Sequence, residues 1–577
     1  MTTTKKVTID RLRSQRWMAP DYMRAFTHRA RMAQAGYRRE EFMERPVIGI
    51  INTWSDISTC HRHLRDRAQS VREGILRKGG FPIELPALSL GEIWVKPTTM
   101  LYRNMLAMEV EELIRSHPLD GVVILAGCDK TTPGTLMGAF SMNLPTIFVP
   151  AGASSNAYFQ GERVGTGTGT VKWLNERKAG RLSEESWLEL EGSMTRTDGT
   201  CNTMGTASTM TGIVEIMGLC LPGAQSIPAV DSAHPRMASA SGERIVDMVW
   251  EDLRPRNFLS EASFHNAAKV VLAIGGSTNA CVHLPAMSGR LGIKFPIDIW
   301  EQYNRDIPVI ANITPAGKFL MEDFHFAGGF RGLTKQLQSK LDMSAMTCTG
   351  KTLAENIANA KVHNEDIIRP LTNPVVNETG IAVLRGNLCP RGAIIKASAA
   401  SKHLLKHSGR ALVFDNHADL NKAMDDANLD VDETCVLILR NAGPKGAPGM
   451  PEWGNIPLPK KLLQKGVRDM VRISDSRMSG THFGACILHV TPESYVGGPL
   501  ALVKNGDIIE LDVDARTLNL KVSDEELAQR RAVWVPPQPK YPRGWTRMYV
   551  EHVTQADEGA DLDFLSGSEL LDEPDIF

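Results

Sequence analysis

Between Asp120 and Gly127 the chain reads DGVVILAG, apolar at almost every position rather than at every second one. A strand with one wet face alternates apolar and polar residues, whereas a strand covered on both faces need not. Such a run belongs inside a parallel sheet with helices on both sides. RPVIGIINT (45–53), FPIELPAL (81–88) and LPTIFVPAG (144–152) are short runs that read as further strands. Between them, helical spacing covers 64–78 and 105–116, and TTPGTLMGAF (131–140) carries a proline where helices often start. The first two thirds of the chain therefore read as alternating strands and helices around a parallel sheet, with ligands expected at the carboxyl ends of the strands.

The pattern changes over 365–385, where DIIRPLTNPVVNETG is rich in proline and asparagine and suits a linker. Beyond it GIAVLRG, ALVFD, CVLILRNAG, MVRISDSRMSG, ACILHVTPE and DIIELDVDARTLNLKV are β-rich. The expected class is α/β in two domains. Residues 1–370 form an N-terminal α/β domain, and residues 385–577 a β-rich one, a barrel or sandwich with flanking helices. The segment after Arg547 is acidic and lacks Lys and Arg, and reads as a solvated or subunit-contacting end.

Three cysteines lie in polar or Gly-rich turns far apart in the chain: Cys60 in NTWSDISTC, Cys128 in LAGCDKTTPG and Cys201 in DGTCNTMGTASTM. Soft thiolates from separate loops can converge on one iron or zinc centre, and three of them leave a coordination position open for chemistry. Asp129 and Lys130, next to Cys128, place hard-metal or acid–base chemistry beside that soft site. Cys220, Cys281, Cys435 and Cys486 lie in apolar runs and read as small buried hydrophobes. Cys348 is ambiguous, and Cys389 in GNLCPRG is a loop cysteine that competes with the favoured three. No C-x-x-C pair is present, and nine cysteines in a long chain are not a disulfide framework. MTTTKKVTIDRLRSQRW has no apolar leader and no run of about 18 apolar residues occurs, so a cytoplasmic, reducing setting is expected, with no membrane. A net charge of -1 gives no basic surface for nucleic acid.

Together with GGSTNA (275–280), GPKGAPGMPE (443–452) and SDSRMSGTHFG (474–484), these cysteine motifs resemble, in order, the motif set of the dihydroxyacid and sugar-acid dehydratase family. The likeness runs from about residue 45 to 525. It implies that Cys60, Cys128 and Cys201 hold an iron–sulfur cluster, of the 2Fe-2S type in the aldonate branch. It implies Mg2+ on Glu92 (in LGEIW), Asp129, Lys130 and Glu452. A lysine ammonium has no lone pair, so the resemblance carries with it N-carbamylation of Lys130; the other reading is an ammonium paired with Asp129 or a substrate carboxylate. Ser479 matches the family's proposed base, with His482 as the alternative. Thr278, Asn279, Thr481 and His482 are candidate substrate contacts.

The implied activity is a hydro-lyase that turns a 2,3-dihydroxy carboxylate into a 2-keto-3-deoxy acid. SRMSGTHFGACILHV (476–490) resembles the sugar-acid branch, where branched-chain enzymes have a GRFSGG-type sequence, so a pentonate such as L-arabinonate or D-xylonate is favoured, with hexonates as further candidates. The alternatives are a branched-chain dihydroxyacid dehydratase and, in a different class, an iron–sulfur electron carrier or redox sensor. The family also implies a homodimer or homotetramer. VGTGTGT (164–170) lacks the spacing and strand–turn–helix setting of a dinucleotide loop. HRH (61–63) reads as solvent-exposed or substrate-facing, and His283 as either structural or functional.

Overall fold

The computed structural model describes residues 6–178, 180–377 and 380–576; positions 378–379 of the expected linker lie outside them. Val47–Asn52 (β1), Phe81–Pro86 (β2), Gly121–Ala126 (β3) and Thr146–Pro150 (β4) form a parallel sheet in the order β2-β1-β3-β4. β1 and β3 are buried at every position, which is the environment a continuous apolar run requires. Helices Leu64–Arg77, Met100–Ser116 and Thr131–Met142 make the connections. All three chain reversals leave the loops after β1, β3 and β4 at the carboxyl edge of the sheet.

The expected alternation stops sooner than two thirds of the way along. After β4 comes a small hairpin, Ala157–Phe159 (β5) with Glu162–Val164 (β6), and the named elements from there to Asn356 are helical among the described residues. Thr206–Ile216, for example, is buried at all its positions, so it has no polar face to mark it as a helix.

Eight further strands form the second sheet: Ala382–Leu384 (β7), Gly392–Ile395 (β8), Lys406–Phe414 (β9), Val436–Leu439 (β10), Arg472–Ser474 (β11), Cys486–Thr491 (β12), Ile508–Asp512 (β13) and Thr517–Leu520 (β14). Their order is β14-β13-β9-β10-β11-β12-β8-β7. The middle, β9 to β12, is parallel, and the flanks are antiparallel. The two edges meet. Arg385 N–H donates to Arg516 O at 2.9 Å and Arg385 O accepts from Leu518 N–H at 2.9 Å, bridging the end of β7 to β14. Of the two architectures expected, the structure is therefore the barrel, nearly closed, with this single bridge joining its two edge strands. Cys389 sits in the barrel core, its thiol on Leu384 O at 3.4 Å, and burial pushes it up to about 12. The large core built on the first sheet also takes in Val383 and Ile394 from β7 and β8.

The acidic segment after Arg547 is not a free end. Tyr549, Val553 and Leu562 pack on Met100, Leu101, Val282 and Met450. Gly559 O and Ala560 O accept from the fully buried Arg103 guanidinium, each at 2.9 Å. Asp561 meets the buried Arg290 through two bonds of 2.8 and 3.1 Å. Among the described residues Asp561 alone of the segment's carboxylates is buried; Glu551, Glu558, Asp563, Glu569, Asp572, Glu573 and Asp575 are exposed, so the segment is packed through Leu562 and solvated beyond it. Among the described residues no helix is long and apolar enough to cross a membrane.

Asp561→Ala should strand Arg290 with Glu111, 3.3 Å away, as its remaining carboxylate. Breaking a buried pair on one side costs about 3–5 kcal/mol, and the low end, about 3, is expected here because Glu111 stays. The thermal unfolding midpoint of the variant measures it.

Candidate active site

The site is built on the three loops that leave β1, β3 and β4. β3 ends at Ala126, and Gly127 follows with its Cα against the chain after β4: a Cβ there would stand 2.3 Å from Ala151 Cβ. Only glycine allows the turn that presents Cys128. The helix Thr131–Met142 begins three residues later, and its N-terminus faces Cys128 and Asp129 with partial positive charge. The turn is pinned from both sides. Cys128 N–H donates to Thr131 Oγ1 at 3.0 Å and to His61 Nε2 at 3.2 Å. Because His61 Nε2 accepts, its proton is on Nδ1, shared with Ser58 and Ser89 hydroxyls at 3.2 and 3.0 Å. Burial drives His61 down to about 3, so the ring is neutral.

The loops carrying Cys60 and Cys201 are tied to each other and to the end of β4. Gly199 N–H donates to Thr59 O at 3.0 Å, Thr200 N–H to Gly152 O at 2.9 Å, and Ser154 N–H to Thr200 O at 2.8 Å. Cys128 is buried, and Cys60 and Cys201 are half-buried. The three thiols crowd one another. A hydrogen bond with Cys128, burial, and the neighbouring Cys128, Cys201 and Asp129 together push Cys60 well above the usual thiol range. Burial and the nearby Asp129 and Cys128 push Cys201 up to about 12, against a hydrogen bond from Thr166. Three thiolates so placed need a soft cation to be stable, which is the donor set an iron–sulfur cluster uses.

One residue further on, the chemistry turns hard. Lys130 is fully buried, and its Nζ lies 3.2 Å from Glu92 Oε2, 3.4 Å from Asp129 Oδ2 and 3.4 Å from Glu452 Oε1. Burial opposes its charge, yet Glu92 and the other carboxylates win over that and over Arg477, and hold its pKa above the usual value. Burial raises Asp129 to about 6 in spite of Lys130. Glu452 is the anion of the group: burial alone would raise it, but Lys130 and Arg477 bring it down to about 2. Among the described residues no three Cys, His, Asp or Glu side chains are drawn tightly enough together to hold a metal ion as they stand. At the carboxylates the reason is the ammonium at their centre. Three carboxylates around one buried cationic nitrogen are a hard-oxygen donor set, and it suits Mg2+ once that positive charge is replaced by an oxygen ligand.

Arg477, not singled out from the sequence, organises the other side of the group. It is fully buried and donates to Glu452 Oε1 at 3.1 Å, Asn279 Oδ1 at 3.0 Å and Met450 O at 2.8 Å. Asn279 Nδ2 donates to Glu452 Oε1 and to Thr206 Oγ1, both at 2.9 Å, so its amide is committed to holding Glu452. Thr278 beside it is buried with no partner for its hydroxyl, a polar atom left over in the site wall. An arginine in a motif of small residues just after a strand was the available clue to Arg477.

Ser479 and His482 lie on the loop after β11. Ser479 Oγ is 3.2 Å from Thr481 Oγ1. His482 N–H donates to Ser479 O at 3.2 Å, and its buried Nδ1 has no partner. Burial lowers its pKa, against Glu452. The Gly-rich stretch 164–170 packs here and corrects one expectation. It runs from the end of β6 through a turn into the helix Thr168–Lys178, so the strand–turn–helix setting is present although the G-x-G-x-x-G spacing is not. A Cβ on Gly167, at φ +82°, would fall 2.3 Å from Thr481 Oγ1. The reading of HRH as solvent-exposed also needs correction. His61 and His63 are buried rather than solvent-facing, with His63 Nε2 on Ala151 O at 2.7 Å. His283 is buried against Arg103 at 3.0 Å and does not reach the thiol loops through any hydrogen bond among the described residues. A cleft of about 250 Å³ opens outward from Cys201 between Thr59, Ser154, Thr166 and residues 195–200.

The chain matches the dihydroxy-acid/6-phosphogluconate dehydratase N-terminal family over residues 45–356, and the C-terminal family of the same name over 366–560. A 6-deoxy-6-sulfo-D-gluconate dehydratase of Pseudomonas putida is 57% identical over 571 residues, covering 98% of this chain and 99% of the relative. An L-arabinonate dehydratase of Rhizobium leguminosarum bv. trifolii is 50% identical, covering 96% of each. A dihydroxy-acid dehydratase of Methanothermobacter thermautotrophicus is 38% identical, covering 93% of this chain and 97% of the relative. Matches along nearly the whole length, over both halves that build the site, establish that the chain belongs to the dihydroxy-acid/6-phosphogluconate dehydratase family of enzymes.

Proposed function

We propose that this enzyme is a hydro-lyase for sugar acids of the L-arabinonate or D-xylonate type, including hexonates, and that it forms the 2-keto-3-deoxy acid as a homodimer or homotetramer. The observation that carries the reading is the adjacency of two donor sets: three thiols, and next to them three carboxylates converging on Lys130. Cys60, Cys128 and Cys201 would hold a 2Fe-2S cluster; Glu92, Asp129, Glu452 and a carbamylated Lys130 would hold Mg2+. When bound, the cluster supplies a Lewis acid for the departing C3 hydroxyl, and Mg2+ supplies positive charge for the substrate carboxylate and C2 oxygen.

The chain's own groups do the rest. Ser479 Oγ takes the C2 proton and returns it to the departing C3 hydroxyl, which leaves as water, and the resulting enol tautomerises to the ketone. A serine hydroxyl works as a base only when its proton is drawn off, and Thr481 Oγ1 is the neighbour that orients it. His482 is the second reading for the base, favoured by its buried, unpartnered Nδ1 on the same loop. Arg477 and Asn279 fix Glu452, and the buried walls of the Lys130 group exclude water. Relatives named for sulfogluconate and L-arabinonate are 46–57% identical, against 37–38% for those named dihydroxy-acid dehydratase and 37% for one named for D-xylonate, which supports the sugar-acid side through the L-arabinonate type.

The deciding experiment assays keto-acid formation by cluster-reconstituted enzyme on L-arabinonate, D-xylonate, D-gluconate and 2,3-dihydroxyisovalerate. Sugar acids should be preferred; equal or better use of 2,3-dihydroxyisovalerate would sink the assignment. A reversible visible spectrum with no product from any of them would favour an electron carrier or sensor.

Cys128→Ser should lose both the visible absorbance and turnover. Ser479→Ala should keep the absorbance and lose at least about 10²-fold in kcat, as removal of a general base does. Near-normal turnover in Ser479→Ala, with loss in His482→Gln, would move the role to His482.

Carbon dioxide adds only to a free amine, and the carboxylates around Lys130 favour the ammonium. Enzyme prepared free of CO2 and divalent cation should therefore be weakly active. Bicarbonate and Mg2+ together should restore it, and either alone should not.

A further inference from the structure

The proposed chemistry uses the inner side of the cysteine site and leaves the cleft above Cys201 without a role. Cys201 and the exposed Arg196 both line the cleft. Among the described residues Arg196 makes no hydrogen bond and no ion pair, which sets it apart from Arg163, Arg177 and Arg181 on neighbouring elements, each paired with a carboxylate. The hydroxyls of Thr59, Ser154 and Thr195 in the same walls also have no protein partner among the described residues. By contrast Thr166, Thr197 and Thr200 spend theirs on Asn202 Oδ1, Asp198 O and Gly152 O. One guanidinium and three hydroxyls without a protein partner among the described residues thus belong to the residues that line this cleft together with a proposed cluster ligand.

We propose that this cleft is the subsite for the distal end of the substrate, and that Arg196 recognises a singly charged oxyanion there, a sulfonate on the terminal carbon of a six-carbon sugar acid. The assignment rests on the sugar-acid reading above and extends it to the far end of the molecule. A tetrahedral oxyanion offers several acceptors at one point, which a guanidinium fork and converging hydroxyl donors match. Arg196 is the one cationic residue among those lining the cleft, which Asp198 also lines. A monoanion brings one negative charge to that cation, whereas a phosphate dianion would bring a second with no second cation to meet it. A neutral terminal hydroxyl would leave the guanidinium unused. The relative of 57% identity named for 6-deoxy-6-sulfo-D-gluconate is consistent with a ligand of this class.

The test compares kcat/KM of the reconstituted enzyme on 6-deoxy-6-sulfo-D-gluconate, 6-phospho-D-gluconate and D-gluconate, for wild type, Arg196→Gln and Arg196→Lys. Wild type should favour the sulfonate over both others. In Arg196→Gln the ratio of sulfonate to D-gluconate kcat/KM should fall at least tenfold, carried by KM, and Arg196→Lys should restore part of it. A ratio serves because general damage to the fold lowers both substrates alike. The proposal is overturned if wild type prefers D-gluconate or the phosphate, or if Arg196→Gln changes the ratio less than tenfold. Turnover of D-gluconate with none of the sulfonate would remove this subsite and leave the sugar-acid reading standing. No product from any sugar acid would remove both.

Discussion

A buried ammonium among carboxylates is the interaction on which the rest of this structure hangs. Lys130 comes from the turn after β3, Glu92 from the loop before Met100–Ser116, and Glu452 from the far half of the chain beside the barrel. None of these charges is stable alone away from water. Each is tolerable because the others are present, so the sheet and the barrel must come together in one register for any of them to be satisfied. Arg477 adds a second cation from the barrel side and reaches back to Asn279 and Thr98. The junction between the two sheets is thus specified by charge, while the shared apolar core that includes Val383 and Ile394 supplies its cohesion.

The fold was legible where a strand announces itself without its partners. DGVVILAG and its three neighbours became β3, β1, β2 and β4 in a parallel sheet, because burial on both faces writes itself into composition. The helical stretch from 206 to 356 was less legible, since a helix buried all round has no stripe. β8 is only four residues long and was not singled out. Closure of the barrel could not be read at all: it depends on Arg385 meeting residues 516–518, more than a hundred positions away, through main-chain bonds that any side chain permits.

The site divides in the same way. Glu92, Asp129, Lys130 and Glu452 were named from motifs, and the fold gathers them around one nitrogen. Arg477 and His61 were not given their parts, because a buried arginine or histidine takes its role from the partner it meets. For Arg477 that partner is an asparagine 198 residues earlier; for His61 it is a main-chain N–H 67 residues later. The stretch 164–170 illustrates the same point from another side: Gly167 makes room for Thr481, Gly165 for Thr203 and Gly169 for Val164.

The buried arginines Arg103 and Arg290 carry a consequence for how the chain is made. Their acceptors are Gly559, Ala560 and Asp561, hundreds of residues downstream. On the ribosome, the first sheet and its helices emerge with both guanidinium groups still lacking those acceptors, and they stay so while the whole barrel is synthesised. The final locking of the N-terminal half therefore waits for the last stretch of packed chain to appear. The last stretch of packed chain is thus part of the N-terminal half's own structure, although it is made last.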